Sequence, residues 1–189
     1  MARPISIVPS VLPADFSRLG EECVALEKAG VDRIQWDVMD GQFVPNLTFG
    51  PDVIGSVRDL VTVPFEAHLM VNTPELMLKE YVDAGCEILI VHAESTVHLH
   101  RTLGAVAELG ARAAVALNPS TPIEAVANVL DLVEMVLIMT STWATASIGV
   151  EGFRATAASA PSSATAPSVR WRWTVDSACT ISNSQPAST

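Results

Sequence analysis

Six short apolar runs, each followed by a stretch with helical spacing, constrain this chain more than any single motif does. The runs fall at residues 5–9, 33–39, 64–71, 87–93, 113–117 and 134–139, and they are continuously apolar rather than alternating. A strand with one wet face alternates. One that is apolar throughout is covered on both faces, which marks a parallel sheet lying between helices. The intervening stretches carry the matching helix signals. Leu19, Cys23, Leu26 and Ala29 recur at helical spacing until Gly30 stops them, Pro51 suits the first turn of a helix over 51–60, and Thr73-Pro74-Glu75 opens one that Gly85 closes. Residues 95–110 carry the next helical pattern, and Thr121-Pro122-Ile123-Glu124 starts another. Strand and helix alternate with a period of roughly 25 residues, which predicts an α/β fold. The eight-stranded (β/α)8 barrel fits best, and an open doubly wound sheet shares the same local signals. No Gly-rich dinucleotide or triphosphate loop follows any run, which weighs against a nucleotide-binding open sheet.

The chemistry gathers where the runs end. Gln35-Trp36-Asp37-Val38-Met39-Asp40-Gly41-Gln42-Phe43-Val44-Pro45 begins as a buried strand and empties into a loop at Gly41 and Pro45. Asp37 lies inside the apolar run, where an unpaired charge is costly, so it needs a functional reason. Asp40 suits either a role in the site or the capping of the loop. Ser10, Asp37, Asp40, His68, His92 and Asn118 all fall at the same end of their runs. In a barrel that end is the active-site face, and the opposite end serves stability. A lone His68 reads as a structural histidine. Beside Asp37 on the neighbouring strand it becomes a metal-binding or proton-transfer pair. Met39, Met70 and Met139 share the strand-end position and suit either core filling or a flexible apolar cover over a substrate. His98 and His100 lie in a helical pattern as surface or packing residues.

Composition narrows the partners. The 189 residues suit one domain, and a formal charge of −10 with a pI near 4.7 argues against nucleic acid and anionic membranes. No apolar run reaches the length of a membrane span, and Met1-Ala2-Arg3-Pro4 passes into the first run without a signal or transit pattern. Cys23, Cys86 and Cys179 lack metal or CxxC spacing and read as buried thiols of a reducing cytoplasm.

Taken together, the motifs resemble the ribulose-phosphate 3-epimerase family. They are Val8-Pro9-Ser10-Val11-Leu12, Asp37-Val38-Met39-Asp40-Gly41 with Phe43-Val44-Pro45-Asn46, Ala67-His68-Leu69-Met70, Val91-His92-Ala93-Glu94, Leu117-Asn118-Pro119 with Thr121-Pro122, and Val136-Leu137-Ile138-Met139. The resemblance implies a TIM (β/α)8 barrel, truncated here to about six βα units, over residues 1–140. It implies interconversion of D-ribulose 5-phosphate and D-xylulose 5-phosphate through an enediolate, with a divalent metal (Zn, Fe, Mn or Co) and two aspartates. Carried over residue by residue, Asp37 is the metal-binding general base and His68 a metal ligand in contact with substrate. Ser10 is a substrate contact, and Met39, Met70 and Met139 form the thioether cap. The partners implied are a small sugar phosphate and, for an intact member, further copies of itself. A related sugar-phosphate 3-epimerase acting on allulose 6-phosphate, or a non-catalytic barrel fragment, are the alternatives. A relative of orotidine-phosphate decarboxylase would want a lysine at a strand end, whereas Lys28 and Lys79 both lie in helical patterns.

Two departures stand against the family pattern. Gln35 occupies the position of a metal-binding His, and an amide oxygen ligates hard cations but is a poorer zinc ligand than imidazole. Residues 141–189 carry none of the family's phosphate loops and not its second aspartate. There 27 of 49 residues are Ala, Ser or Thr, so neither a helix nor a strand period is visible. Read one base earlier, the codons permitted for Trp171-Arg172-Trp173-Thr174-Val175-Asp176-Ser177 give Glu-Val-Asp-Gly-Gly-Leu, the family's missing seventh-strand motif. The same shift at Thr140 permits part of the missing phosphate loop. The tail therefore reads as an out-of-frame translation, irregular and poorly ordered, with Asp176 no substitute for the second acid. The six-unit remnant is expected to leave sheet edges unpaired and to have little activity.

Overall fold

The computed structural model describes residues 5–139 and 170–172. Six parallel strands lie in chain order: β1 (Ile34–Met39), β2 (Phe65–Met70), β3 (Cys86–His92), β4 (Arg112–Leu117), β5 (Met135–Ile138) and β6 (Arg170–Arg172). That order decides between the two architectures the sequence left open. A doubly wound sheet reverses direction at a switch point, whereas sequential parallel neighbours are the arc of a (β/α)8 barrel.

The register lays the strand faces out by period two. Ile34, Trp36 and Val38 of β1 share a face with Phe65, Ala67 and Leu69 of β2, and these residues join the core beneath the helices. Trp36 sits edge-on to Phe49 at 5.3 Å and to Phe65 at 5.1 Å, and the Arg58 guanidinium lies 3.8 Å above the Phe65 ring. The other face holds a second apolar cluster of Ile88, Ile90, Ala114, Ala116, Met135 and Leu137, with Met139 packed against it. The interior face of β1 and β2 is polar by contrast, with Gln35 paired to Glu66 and Asp37 to His68 in register. An apolar run can therefore hold acids, since every second side chain of β1 points inward.

Helices cover the outer face: α1 (Leu19–Lys28), α2 (Pro51–Arg58), α3 (Leu78–Asp83) and α4 (Leu99–Glu108). Gly30, Gly85 and Gly110, just past three helix ends, have φ of 82°, 93° and 85°, the left-handed conformation that terminates helices. Three elements differ from the sequence expectation. The pattern over 95–110 becomes helical only at Leu99, because the Ser95 hydroxyl turns back to donate to the His92 carbonyl at 3.0 Å. The helix expected after Thr121 is a 3-10 helix, Ile123–Val129. Residues 5–9 run beside β1 without forming a regular strand. Pro9 has no N–H to give, so its carbonyl accepts from Gln35 N–H at 2.9 Å and the ladder shrinks to a bridge at Ser10.

At the far edge, β6 pairs in parallel with β5 over Met135–Leu137. This corrects the expectation of a bare edge there and of no strand in the tail, since the backbone donors and acceptors of β5 accept any extended segment. The expectations for 1–4, Thr140 and the rest of 141–189, Cys179 and Asp176 included, lie outside the described residues.

Candidate functional site

β1 brings Asp37 to the interior face with its side chain fully buried. Three side chains hold it. The Ser10 hydroxyl donates to Oδ2, the Gln35 amide nitrogen donates to Oδ1 at 2.9 Å, and His68 Nδ1 of β2 lies 3.0 Å from Oδ1. Burial pushes this carboxyl up, but the hydrogen bond and charge of His68, with the bonds from Ser10 and Gln35, outweigh it, and the net shift is downward. Asp37 is therefore an ionised carboxylate in a dry setting. Thr48 anchors the strand end, its hydroxyl donating to the Asp37 carbonyl at 2.8 Å and accepting from Met39 N–H at 2.9 Å.

The contacts continue past His68. Its Nε2 lies 2.9 Å from Nε2 of His92 on β3, with ring centroids 5.0 Å apart. His92 Nδ1 lies 3.1 Å from Glu94 Oε2, and Phe43 covers its ring at 4.8 Å. Glu94 Oε1 accepts from Asn118 N–H at 2.8 Å and from the Thr121 hydroxyl. Burial holds the His92 imidazole down to about 4, against a smaller opposing pull from Glu94. Burial alone would push Glu94 up, but the bonds from His92, Thr121 and Asn118 bring it down to about 2. A continuous chain, Asp37–His68–His92–Glu94, thus crosses β1, β2 and β3.

The sequence reading placed Asp37, His68, Ser10 and Gln35 in one site, and the structure brings these four together. Asp40 stands apart. Its Oδ1 accepts from the N–H groups of Gln42 and Phe43 and its Oδ2 from Asn72 N–H, so it holds the loop after β1 beside Gly41, whose φ is 73°. Met39 and Met70 are buried register partners on the same face as Asp37 and His68, while Met139 is partly buried above the β3–β5 cluster. Asn118 takes part through its backbone. The extended chain through His92 and Glu94 was not foreseen; the signal was the spacing of the two residues at the end of β3. Lys28 and Lys79 lie on helices, as expected.

Two observations test whether a divalent cation fits. Gln35 Oε1 is buried without a hydrogen-bond partner, which suits a hard-cation ligand, and Asp37 and His68 offer a carboxylate and an imidazole within 3.0 Å of each other. Among the described residues no three His, Cys, Asp or Glu side chains gather as ligands, so the set is two such donors and an amide. It fits a cation that accepts mixed oxygen and nitrogen ligands.

Comparison with known proteins bears on both fold and site. The arc superposes on tryptophan synthase alpha-subunits. One from Pyrococcus furiosus matches with a TM-score of 0.57 and 14% identity, covering 71% of this chain and 64% of that one. One from Legionella pneumophila matches with a TM-score of 0.54 and 14% identity, covering 72% and 62%. At such identities the likeness speaks for the fold alone. Curated relatives are much nearer in sequence. A chloroplastic ribulose-5-phosphate-3-epimerase of Arabidopsis thaliana is 49% identical over 71% of this chain and 49% of its own length. Ribulose-phosphate 3-epimerases of Bacillus subtilis and a Synechocystis strain are each 46% identical, over 72% and 74% of this chain and 63% and 61% of theirs. The chain thus spans from about half to under two-thirds of the length of these relatives. The model of the ribulose-phosphate 3 epimerase family matches residues 6–146, which take in every residue of the hydrogen-bonded chain from Ser10 to Glu94 and Thr121, and on that match this protein belongs to the ribulose-phosphate 3 epimerase family.

Proposed function

We propose that the strand-end site is that of a ribulose-phosphate 3-epimerase, which interconverts D-ribulose 5-phosphate and D-xylulose 5-phosphate through an enediolate. The observation that carries the reading is Asp37, a fully buried, ionised carboxylate within 3.0 Å of His68 and bonded by Ser10. A proton alpha to a carbonyl is weakly acidic, so its removal needs a base held in place and a stabiliser for the oxyanion that develops. Asp37 is the base. Three partners make it a weak one at rest, and a substrate oxygen that engages the Ser10 hydroxyl frees Oδ2 to take the proton. Gln35 fixes the carboxylate from the other side. Met39 and Met70, with Met139 beside them, form the apolar cover that keeps water from the enediolate. A divalent metal, Zn, Fe, Mn or Co, held by Asp37 and His68 with the Gln35 amide oxygen, would supply a Lewis acid for that oxyanion.

Inversion needs a second acid on the opposite face. Asp40 is tied to its loop and Glu94 is turned to His92, so the described residues support proton transfer on one face. We therefore expect C3 exchange to outrun epimerisation. With the chain loaded in turn with the four metals in D2O, deuterium should enter C3 of ribulose 5-phosphate faster than xylulose 5-phosphate forms. A folded chain showing neither would sink the reading; turnover as fast as a complete enzyme's would instead overturn the expectation of a crippled site. Competition between ribulose 5-phosphate and allulose 6-phosphate separates the two epimerase assignments.

One observation favours a second reading, a non-catalytic barrel fragment: the chain spans under two-thirds of its curated relatives. A discrete oligomer that binds neither metal nor sugar phosphate would support it. Under the first reading, residues 1–140 are the barrel body and 141–189 an appended tail, in keeping with a family match that ends at residue 146. The setting proposed is the cytoplasm, with self-association of an intact member. Cys23 and Cys86 are buried free thiols, and no described helix is long and apolar enough to cross a membrane.

A further inference from the structure

β1 carries its chemistry past the point where one of its neighbours stops. On the β2 side the pairing runs on to Met39, opposite Met70. On the other side the neighbour is the run at 5–9. Gln35 N–H donates to the Pro9 carbonyl at 2.9 Å, and the Gln35 carbonyl accepts from Val11 N–H at 3.2 Å. A parallel ladder engages every second residue of a strand edge, so the next donor, to the Asp37 carbonyl, would be the N–H of residue 13. Residue 13 is proline and has none. The chain turns away instead, the Val11 carbonyl accepting from Ala14 N–H at 3.0 Å and the Ser10 hydroxyl from Leu12 N–H at 3.1 Å. The last turn of β1 therefore presents backbone groups to an edge that its neighbour strand has left.

Thr48 takes over that edge. Its hydroxyl donates to the Asp37 carbonyl at 2.8 Å and accepts from Met39 N–H at 2.9 Å, and its own N–H donates to the Met39 carbonyl at 3.3 Å. The loop between is closed on itself by Gly41 N–H to the Asn46 carbonyl at 2.8 Å and by a bridge of Asp40 with Leu47, and its Phe43 lies against the His92 ring. Both groups held by the hydroxyl flank Val38, so they fix the backbone from which Asp37 and Met39 reach inward.

We propose that Thr48 is a positioning residue for the proton transfer, a one-residue substitute for the departed strand that holds Asp37 in line with the substrate carbon. The proposal deepens the epimerase reading above and rests on it for the identity of the reaction. Thr48 touches neither substrate nor base side chain, so its effect belongs to the geometry of the transition state and not to substrate binding.

Thr48→Val keeps the shape of the side chain and removes the hydroxyl, and Thr48→Ser keeps the hydroxyl. With the full chain loaded with whichever of the four metals supports C3 exchange, Thr48→Val should lower kcat for that exchange by up to about 10²-fold per folded protein and leave KM in place. In the metal-free chain, hydrogen exchange at the Met39 amide should quicken and the carboxyl-carbon resonance of Asp37 should move at fixed pH. Thr48→Ser should return all three toward the parent. A folded Thr48→Val with the parent's kcat and Asp37 resonance overturns the proposal and leaves Thr48 a strand fastener only, as does a loss that Thr48→Ser fails to restore or one confined to KM. Should Thr48→Val not fold, Thr48→Cys, whose thiol is a weak donor and acceptor, is read against the same outcomes. Should the unsubstituted chain show no C3 exchange with any metal, the epimerase reading falls, and the Met39 amide and Asp37 resonance of the metal-free variants still decide whether Thr48 positions Asp37.

Discussion

The two ends of the same strands carry two polar clusters, each with a buried centre, built on opposite principles. At the N-terminal ends, Arg33 pairs with Glu66 at 3.6 Å and with Glu134 at 3.2 Å, and Arg112 pairs with Glu134 at 2.9 Å and with Glu87 at 3.2 Å. Formal charges meet formal charges there. At the C-terminal ends, a carboxylate meets an imidazole, a second imidazole and a second carboxylate. Polar burial alone therefore does not mark a site. The first cluster is made of arginine–carboxylate ion pairs, whereas the second carries imidazoles, which can ligate a cation or move a proton.

That contrast yields four expectations, taken from the largest effect. Asp37→Asn should lower the rate of C3 exchange by roughly 10²–10⁴-fold, the usual worth of a positioned base. Its unfolding midpoint should fall as well, because Asp37 is fully buried and held by Ser10, Gln35 and His68, so the loss of exchange is read per folded protein. Glu66→Gln should move the midpoint alone. It strips one partner from a pair whose side chains are 9% and 0% exposed, at a cost of about 3–5 kcal/mol in denaturant melts. Metal titration should be unchanged if the two clusters are independent.

The third expectation concerns pH. The Glu94 carboxyl is held down to about 2 from an ordinary 4.5, so its contribution is present above 4.5 and lost as pH falls through about 2. Parent and Glu94→Gln should differ in stability at pH 7 and converge as pH falls through that window. A gap independent of pH would mean that the carboxylate charge of Glu94, at the outer end of the chain of contacts, is immaterial. The smallest effect belongs to Arg112→Ala. Its side chain is 42% exposed and its partner Glu87 55%, so loss of that pair should cost under about 1 kcal/mol, less still at high salt. A larger cost would tie the rim to Arg33 through their shared Glu134.

Much of this was legible in the sequence because strand periodicity does two jobs. Continuous apolar runs disclosed a two-faced parallel sheet, and the polar residues at their ends disclosed which rim carries chemistry. Asp37, His68 and Ser10 could be grouped that way before any coordinates, and Gln35 joined them only through the family resemblance. What stayed hidden depends on contacts across strands. His92 was placed at the right rim but given no partner, and Glu94 no role, until the fold set the His92 ring against His68, two residues beyond the register partner Ile90. Asp40 was left between a role in the site and the capping of its loop, and its three backbone donors show that it serves the loop. The run over 5–9 misled because apolar content cannot restore the N–H that Pro9 lacks.

The sequential strand order has a consequence for how the site comes into being. Each strand's spatial neighbour is its next neighbour in the chain, so the sheet can be laid down as the polypeptide emerges. Ser10, Gln35, Asp37, His68, His92 and Glu94 all belong to the first half of the chain, and Asn118 and Thr121 close the group soon after. The described half of the site is thus assembled by the nascent chain's earliest strands. Among the described residues, the C-terminal part meets this sheet where β6 joins β5.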